Sequence, residues 1–172
     1  MKQKLVISAA TAAAIYIAAP LIELVEGVEY RPYKDVAGVW TICSGITGTD
    51  VILGKTYTKS ECRRLLEKHI QIHARHVESA VNYNIHPKTK AALISFSYNV
   101  GGRAMSNSTA IRLINNGKVE EGCRALGMWN KITRNGKKVV VKGLVNRRNE
   151  EIKLCIEGER EMKRGLYAPW FS

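Results

Sequence analysis

Between residues 62 and 80 one side of a 3.6-residue repeat is occupied by Cys62, Leu65, Leu66, His69, Ile70, His73, Val77 and Ala80. Thr58-Lys59-Ser60-Glu61 stands just before it. A Thr and a Glu three apart can satisfy each other's free backbone N–H groups at a helix start. The pattern predicts a long helix over 59–82. A second helix is predicted over 88–100, after His86-Pro87, apolar for most of its length and stopped by Gly101-Gly102. Shorter helices are expected at 108–116, closed by Gly117, at 118–130 and at 144–157. Asn135-Gly136 marks a hairpin turn.

Residues 29–57 follow another rhythm. Tyr, Val, Trp, Thr and Ile alternate with turns at Gly38, Gly45, Gly48 and Gly54, which predicts a small antiparallel sheet. The chain therefore reads as α+β, with no repeat, no low-complexity linker and no boundary between separately folding domains.

Residues 5–22 carry no charge and follow Met1-Lys2-Gln3-Lys4. Eighteen residues suffice to cross a bilayer core of ~30 Å, and the preceding lysines fit an export signal. Hydrophobicity is low, with seven Ala, Ser8, Thr11 and Pro20. Three readings stay open: a cleaved signal peptide, a membrane anchor, and a buried Ala-rich helix of a soluble protein. Pro20 is expected to open a short helix that ends at Gly27. Glu26 then closes that helix, where the negative end of the dipole favours a protonated carboxyl.

The chain has 172 residues, with 27 Lys and Arg against 15 Asp and Glu, a net charge of +12. Its 45% hydrophobic and 24% charged residues exclude a disordered chain, a collagen and a multi-span membrane protein. The charge calls for an anionic partner. Residues 131–148 hold seven basic residues and no acid. No zinc-finger or RNA-binding aromatic signature accompanies them, so a solvated face drawn to an anionic wall is expected rather than nucleic acid. Cys43, Cys62, Cys123 and Cys155 contain no C-x-x-C pair. Disulfides of an oxidising compartment, in any of three connectivities, and reduced buried thiols both fit. His69, His73 and His76 have the i, i+4, i+7 spacing of a metal site. Without a H-E-x-x-H glutamate they read as histidines at the edge of the stripe, and no metal or cofactor is expected.

Residues 26–47 carry the chemistry. Glu26 ends a helix, Asp35 sits on a turn and Thr41 starts a strand, so the three can surround one cleft. Glycoside hydrolysis needs two carboxyl groups flanking the scissile bond. One holds a proton for the leaving oxygen, and the other stays ionised. A neighbouring hydroxyl can hold the water. Alone, two acids and a threonine at these spacings discriminate poorly.

Their setting is more specific. Glu26, Tyr33-Lys34-Asp35, Gly38-Val39-Trp40-Thr41-Ile42 and Gly45-x-Thr47 are followed by Gly54-Lys55-Thr56-Tyr57-Thr58. Ser95-Phe96-Ser97-Tyr98-Asn99-Val100-Gly101 and Gly143-Leu144-Val145-x-Arg147-Arg148 come next. In these blocks, in this order, the chain resembles the phage-type lysozymes of glycoside hydrolase family 24. The resemblance implies a two-lobed α+β fold: a sheet lobe at 28–57, a connecting helix at 59–82 and a helical lobe at 83–157, the lysozyme domain being 23–157. It implies a monomeric muramidase cutting the β-1,4 bond between N-acetylmuramic acid and N-acetylglucosamine of peptidoglycan, in a family usually described as inverting. By carry-over Glu26 is the general acid, while Asp35 and Thr41 handle the water. Tyr98 falls where an aromatic lines the cleft, though a core aromatic on its helix fits equally.

The resemblance also places residues 1–22 with the signal-anchor segments of lambdoid relatives. Such a segment holds the enzyme inactive at the inner membrane and then releases it to the periplasm. It implies Cys43–Cys62 and Cys123–Cys155 as disulfides. One departure is Ile46, where relatives carry His, with His69 where they often carry an acid; an inter-lobe histidine–carboxylate pair is expected to be missing. Residues 158–172 extend beyond the match. Lys163, Arg164, Leu166, Trp170 and Phe171 there suggest contact with an anionic outer membrane, against a disordered end.

Overall fold

The computed structural model describes residues 8–35 and 38–166. Its first element, α1 (Ala9–Glu26), is capped by Ser8, whose hydroxyl accepts from the Thr11 N–H at 3.2 Å. Thr11, Ala14, Ile15, Ala18, Ala19 and Ile22 form its buried stripe. The alanines let α1 lie close against the neighbouring helices. Pro20 does not open a separate helix: α1 runs through it. The residue faces outward, so the Tyr16 carbonyl that loses its partner there can be served by water. Leu5, Val6 and Ile7 lie outside the described residues.

Three antiparallel strands follow: β1 (Glu29–Lys34), β2 (Trp40–Cys43) and β3 (Ile46–Thr47). Tyr33 pairs with Thr41 and Lys34 with Trp40, and an irregularity lies between Glu29 and Tyr33. A 3-10 turn at 48–50 and an irregular segment complete the sheet lobe. Tyr57 secures that segment, accepting from Ile52 N–H at 2.8 Å and donating to the Asp50 carbonyl at 2.7 Å.

The connecting helix α2 (Lys59–Ala80) starts with the expected reciprocal cap between Thr58 and Glu61. Lys55 and the Thr58 backbone hold the Glu61 carboxyl down at about 2. The buried stripe is Cys62, Leu66, Ile70, Ala74 and Val77. α3 (Pro87–Val100) is buried from Ala91 to Ser97 and forms the centre of the helical lobe, as a helix apolar on all sides must. α4 (Gly102–Ser106), absent from the sequence expectation, begins directly at the glycine pair. There a Cβ on Gly102 would lie 2.2 Å from the His76 ring. α5 (Thr109–Asn115) and α6 (Val119–Ala125) lead through a 3-10 turn at 126–128 to a hairpin.

That hairpin, β4 (Lys131–Arg134) and β5 (Lys137–Val140), turns at Asn135 and Gly136, both with positive φ. The last helix, α7 (Lys142–Lys163), continues past the expected end at 157. Gly158 is helical because its missing side chain lets α7 press against Thr89 of α3. Tyr167, Trp170 and Phe171 lie outside the described residues. The disulfides Cys43–Cys62 and Cys123–Cys155 are both formed. The first ties β2 to α2, and the second ties α6 to α7.

Candidate active site

Glu26 is the last residue of α1, followed by Gly27 at φ 74°. Its carboxylate lies at the seam of the two lobes. From the sheet lobe it approaches Gly45, where an added Cβ would lie 3.8 Å from Oε2. From the helical lobe Arg147 of α7 donates to Oε1. The turn bearing Gly45 is held by α3, because the Tyr98 hydroxyl donates to the Ser44 carbonyl at 2.8 Å.

Asp35 and Thr41 are fastened to one residue. Val39 N–H donates to Asp35 Oδ1 at 2.9 Å, and the Thr41 hydroxyl donates to the Val39 carbonyl at 3.0 Å. Backbone bonds close the turn between them: Asp35 N–H to Val39 carbonyl at 3.0 Å and Gly38 N–H to Asp35 carbonyl at 2.9 Å. Tyr33 lies opposite Thr41 in the ladder. Burial and then the charges of Glu26, Glu29 and Asp35 push its hydroxyl up. Burial and then Glu26 do the same to Tyr98, with Arg147 opposing.

Arg147 stands in the Gly143–Arg148 block, and nothing in the sequence alone gives it a role at this site. Arg147 and Glu151 are spaced i, i+4, which sequence reading treats as a surface pair. Here both are buried, at 4% and 0% exposure, and so is Arg148 at 1%. Arg147 Nε donates to Glu151 Oε1 at 3.0 Å and its Nη2 to the Ser95 carbonyl at 2.9 Å. Arg148 Nε faces Glu151 Oε2 at 2.8 Å, and its Nη2 donates to Asn99 at 2.9 Å. Its guanidinium lies over the Phe96 ring. Burial holds Arg148 down at about 10.

The expected lack of an inter-lobe histidine–carboxylate pair is corrected. His69 Nε2 on α2 lies 3.0 Å from Asp50 Oδ2 in the sheet lobe, with the two residue types exchanged between lobes. Asp50 is delivered by the 3-10 turn, which local sequence did not announce. His73 Nδ1 meets the Ser97 hydroxyl at 3.0 Å, and its ring leans on Tyr98 and His76. Burial holds His73 down at about 4, as a neutral imidazole. A surface concavity of about 1090 Å³ lies between α6 and α7, and neither Glu26, Asp35 nor Thr41 lines it.

Comparison with known proteins places the chain among lysozymes. The family model described as Phage lysozyme matches residues 23–151. A SAR-endolysin of Enterobacteria phage PA-2 is 42% identical over 164 residues, covering 92% of this chain and 97% of its own. A SAR-endolysin of Pseudomonas phage phiKMV is 48% identical over 143 residues, covering 82% and 88%. Among solved structures, an endolysin from Escherichia coli O157:H7 phage FAHEc1 superposes with a TM-score of 0.78 at 29% identity, over 91% of this chain and 97% of that one.

Proposed function

The chain belongs to the phage lysozyme family and is a muramidase endolysin acting on peptidoglycan to lyse the host cell, and from that premise we propose that Glu26 is its general acid, with Asp35 and Thr41 handling the water. One observation supports this reading above the rest. The Glu26 carboxylate reaches the seam between the lobes, where a glycan strand can lie, while Asp35 and Thr41 share Val39 on the sheet side. Glu26 gives its proton to the leaving glycosidic oxygen. Asp35, as carboxylate, stabilises the positive charge growing on the sugar and receives a proton from the attacking water. The Thr41 hydroxyl spends its hydrogen on Val39, so its oxygen is left as an acceptor for that water. The Tyr98 hydroxyl is engaged by Ser44, leaving the ring as its contribution to sugar binding. Purified peptidoglycan tests the assignment. Wild type clears a suspension, and Glu26→Gln lowers the rate at least about 100-fold. Equal clearing would remove Glu26 from the role.

We further propose that residues 5–22 hold the enzyme at the inner membrane before release to the periplasm. α1 is long and apolar enough to cross a bilayer. In the folded protein the same helix is docked against α2, α3 and α7 with Ala14, Ala18, Ala19 and Ile22 buried. A segment held in lipid cannot fill that groove, and Glu26 at its end cannot reach Arg147 and Gly45. Membrane and soluble fractions sampled through expression test this. Protein that is soluble at every stage contradicts it. Outer-membrane contact by residues 158–172, and a monomeric state, belong to the same reading. Unchanged killing of intact cells after deletion of 158–172 removes the former, and a dimer mass by light scattering removes the latter.

A further inference from the structure

We propose that Glu151 is a positioning residue for the general acid: it locks the Arg147 guanidinium and supplies the counter-charge that lets Glu26 keep its proton beside that cation. The proposal rests on Glu26 being the acid. A guanidinium against a carboxyl favours the ionised form, the reverse of what an acid catalyst needs. Arg147 is not a lone cation, however. Its Nη1 reaches Glu26, its Nε is spent on Glu151, and its Nη2 is spent on the Ser95 carbonyl and, at 3.3 Å, the Ser95 hydroxyl. With every nitrogen engaged the fork cannot swing, so Glu26 meets one fixed donor.

Glu151 is fully buried between three donors. Its Oε1 accepts from the Ser95 hydroxyl at 2.7 Å, Arg147 Nε at 3.0 Å and Arg148 Nη2 at 3.2 Å, and its Oε2 faces Arg148 Nε at 2.8 Å. Burial pushes this carboxyl up, against the two arginines and the Ser95 hydroxyl. Its Oε1 accepts from two guanidinium groups, which can only donate, and both cations lie within reach of the carboxyl. This pairing favours the carboxylate.

Around Glu26, Tyr33 from β1 and Tyr98 from α3 present neutral hydroxyls, Glu29 and Asp35 bring their carboxyl groups from the sheet lobe, and Glu23 on α1 is paired with Arg63 at 2.9 Å. On the side of the helical lobe the balance rests on Arg147, Arg148 and Glu151. With Glu26 protonated, these three sum to one positive charge; without the Glu151 charge they sum to two. The second uncompensated charge would drive the proton off Glu26.

The experiment is the pH profile of kcat/KM on purified peptidoglycan for wild type, Glu151→Gln, Arg148→Gln and the double variant, with folding followed by circular dichroism. Glu151→Gln should move the alkaline limb down by about one pH unit, and Arg148→Gln should move it up by a similar amount. The double variant, which removes the two charges together, should return it towards wild type. The single variants shift in opposite directions, so either one, once folded, decides the sign. Glu151→Asp, which keeps the charge, should lower the rate and leave the limb in place. Uniformly slower enzymes with an unmoved limb would reduce Glu151 to a structural role and overturn the proposal. A fully active Glu26→Gln would instead overturn the assignment of the acid.

Discussion

Asp50, in the turn after β3, and His69, on α2, meet carboxylate to imidazole at 3.0 Å, and Lys68 closes on the same carboxylate at 2.9 Å. These bonds, His69 first and Lys68 second, hold the Asp50 carboxyl below its ordinary value. A depressed carboxyl stabilises the fold above the ordinary carboxylate range near ~4 and loses that contribution as pH falls through its lowered value. Asp50→Asn should therefore lower Tm by about 2–4 °C at pH 6, and the gap from wild type should narrow as the pH falls below the ordinary carboxylate range. Melts across that range read it; a gap that widens in acid contradicts the pairing.

Tyr98 holds the Ser44-Gly45 turn against the helical lobe by one hydrogen bond. Tyr98→Phe removes that bond and leaves the ring. A stability loss of about 1 kcal/mol is expected, together with slower clearing, because Gly45 borders the Glu26 carboxylate. Unchanged melting and clearing would show that the turn needs no such support.

The two disulfides close separations of 19 and 32 residues. Each should contribute about 3 kcal/mol by restricting the unfolded chain. Cys43→Ser with Cys62→Ser should also reduce activity at a temperature where the protein is folded, since β2 carries Thr41. Cys123→Ser with Cys155→Ser should act on stability alone. Melting and clearing rates measured side by side separate the two effects.

Gly158 marks the crossing of α7 over α3. An added Cβ would lie 2.7 Å from the Thr89 backbone nitrogen and 2.6 Å from Oγ1. That hydroxyl is itself bound to the Cys155 carbonyl at 2.9 Å. Backbone cannot step aside as a flexible side chain can, so Gly158→Ala should cost about 1–3 kcal/mol. Denaturant titration measures it; a loss under a few tenths would mean that the helices separate freely.

Thr11 is the polar residue at the heart of the docked face of α1, and it is buried. Its hydroxyl donates to Glu78 on α2 and accepts from Lys90 on α3 at 3.1 Å. Burial pushes the Lys90 ammonium down, with Glu78 opposing. Thr11→Val should raise the membrane-retained share of the protein. Glu78→Ala leaves the apolar segment untouched but removes its docking partner, and it should raise that share as well. If only Thr11→Val does so, hydrophobicity of the segment alone sets its release.

Much of the fold is written in local signals. The Thr58–Glu61 cap and the helical stripe announce α2, and Asn135-Gly136 announces the β4–β5 turn, because both act within a few residues. The pairing of the cysteines is legible only through resemblance, as is the proposed catalytic trio. Pro20 misled, since its effect on a helix depends on which side faces water. The predicted end of the last helix at 157 falls short for a related reason: Gly158, the next residue, is the contact point of two helices and lies inside α7.

The sequence by itself determined the long capped helix α2, the apolar helix α3, the small sheet after Glu26 and the hairpin turn at Asn135-Gly136, because capping, turn preference and periodic burial are local properties. Only the tertiary structure decided the charge partners. Arg147 finds Glu26 across 121 residues, Ser95 finds Glu151 across 56, and His69 finds Asp50 across 19. An arginine, a glutamate or a histidine carries no mark of its partner, since Coulomb attraction is non-specific until packing excludes water and brings particular atoms within hydrogen-bond reach.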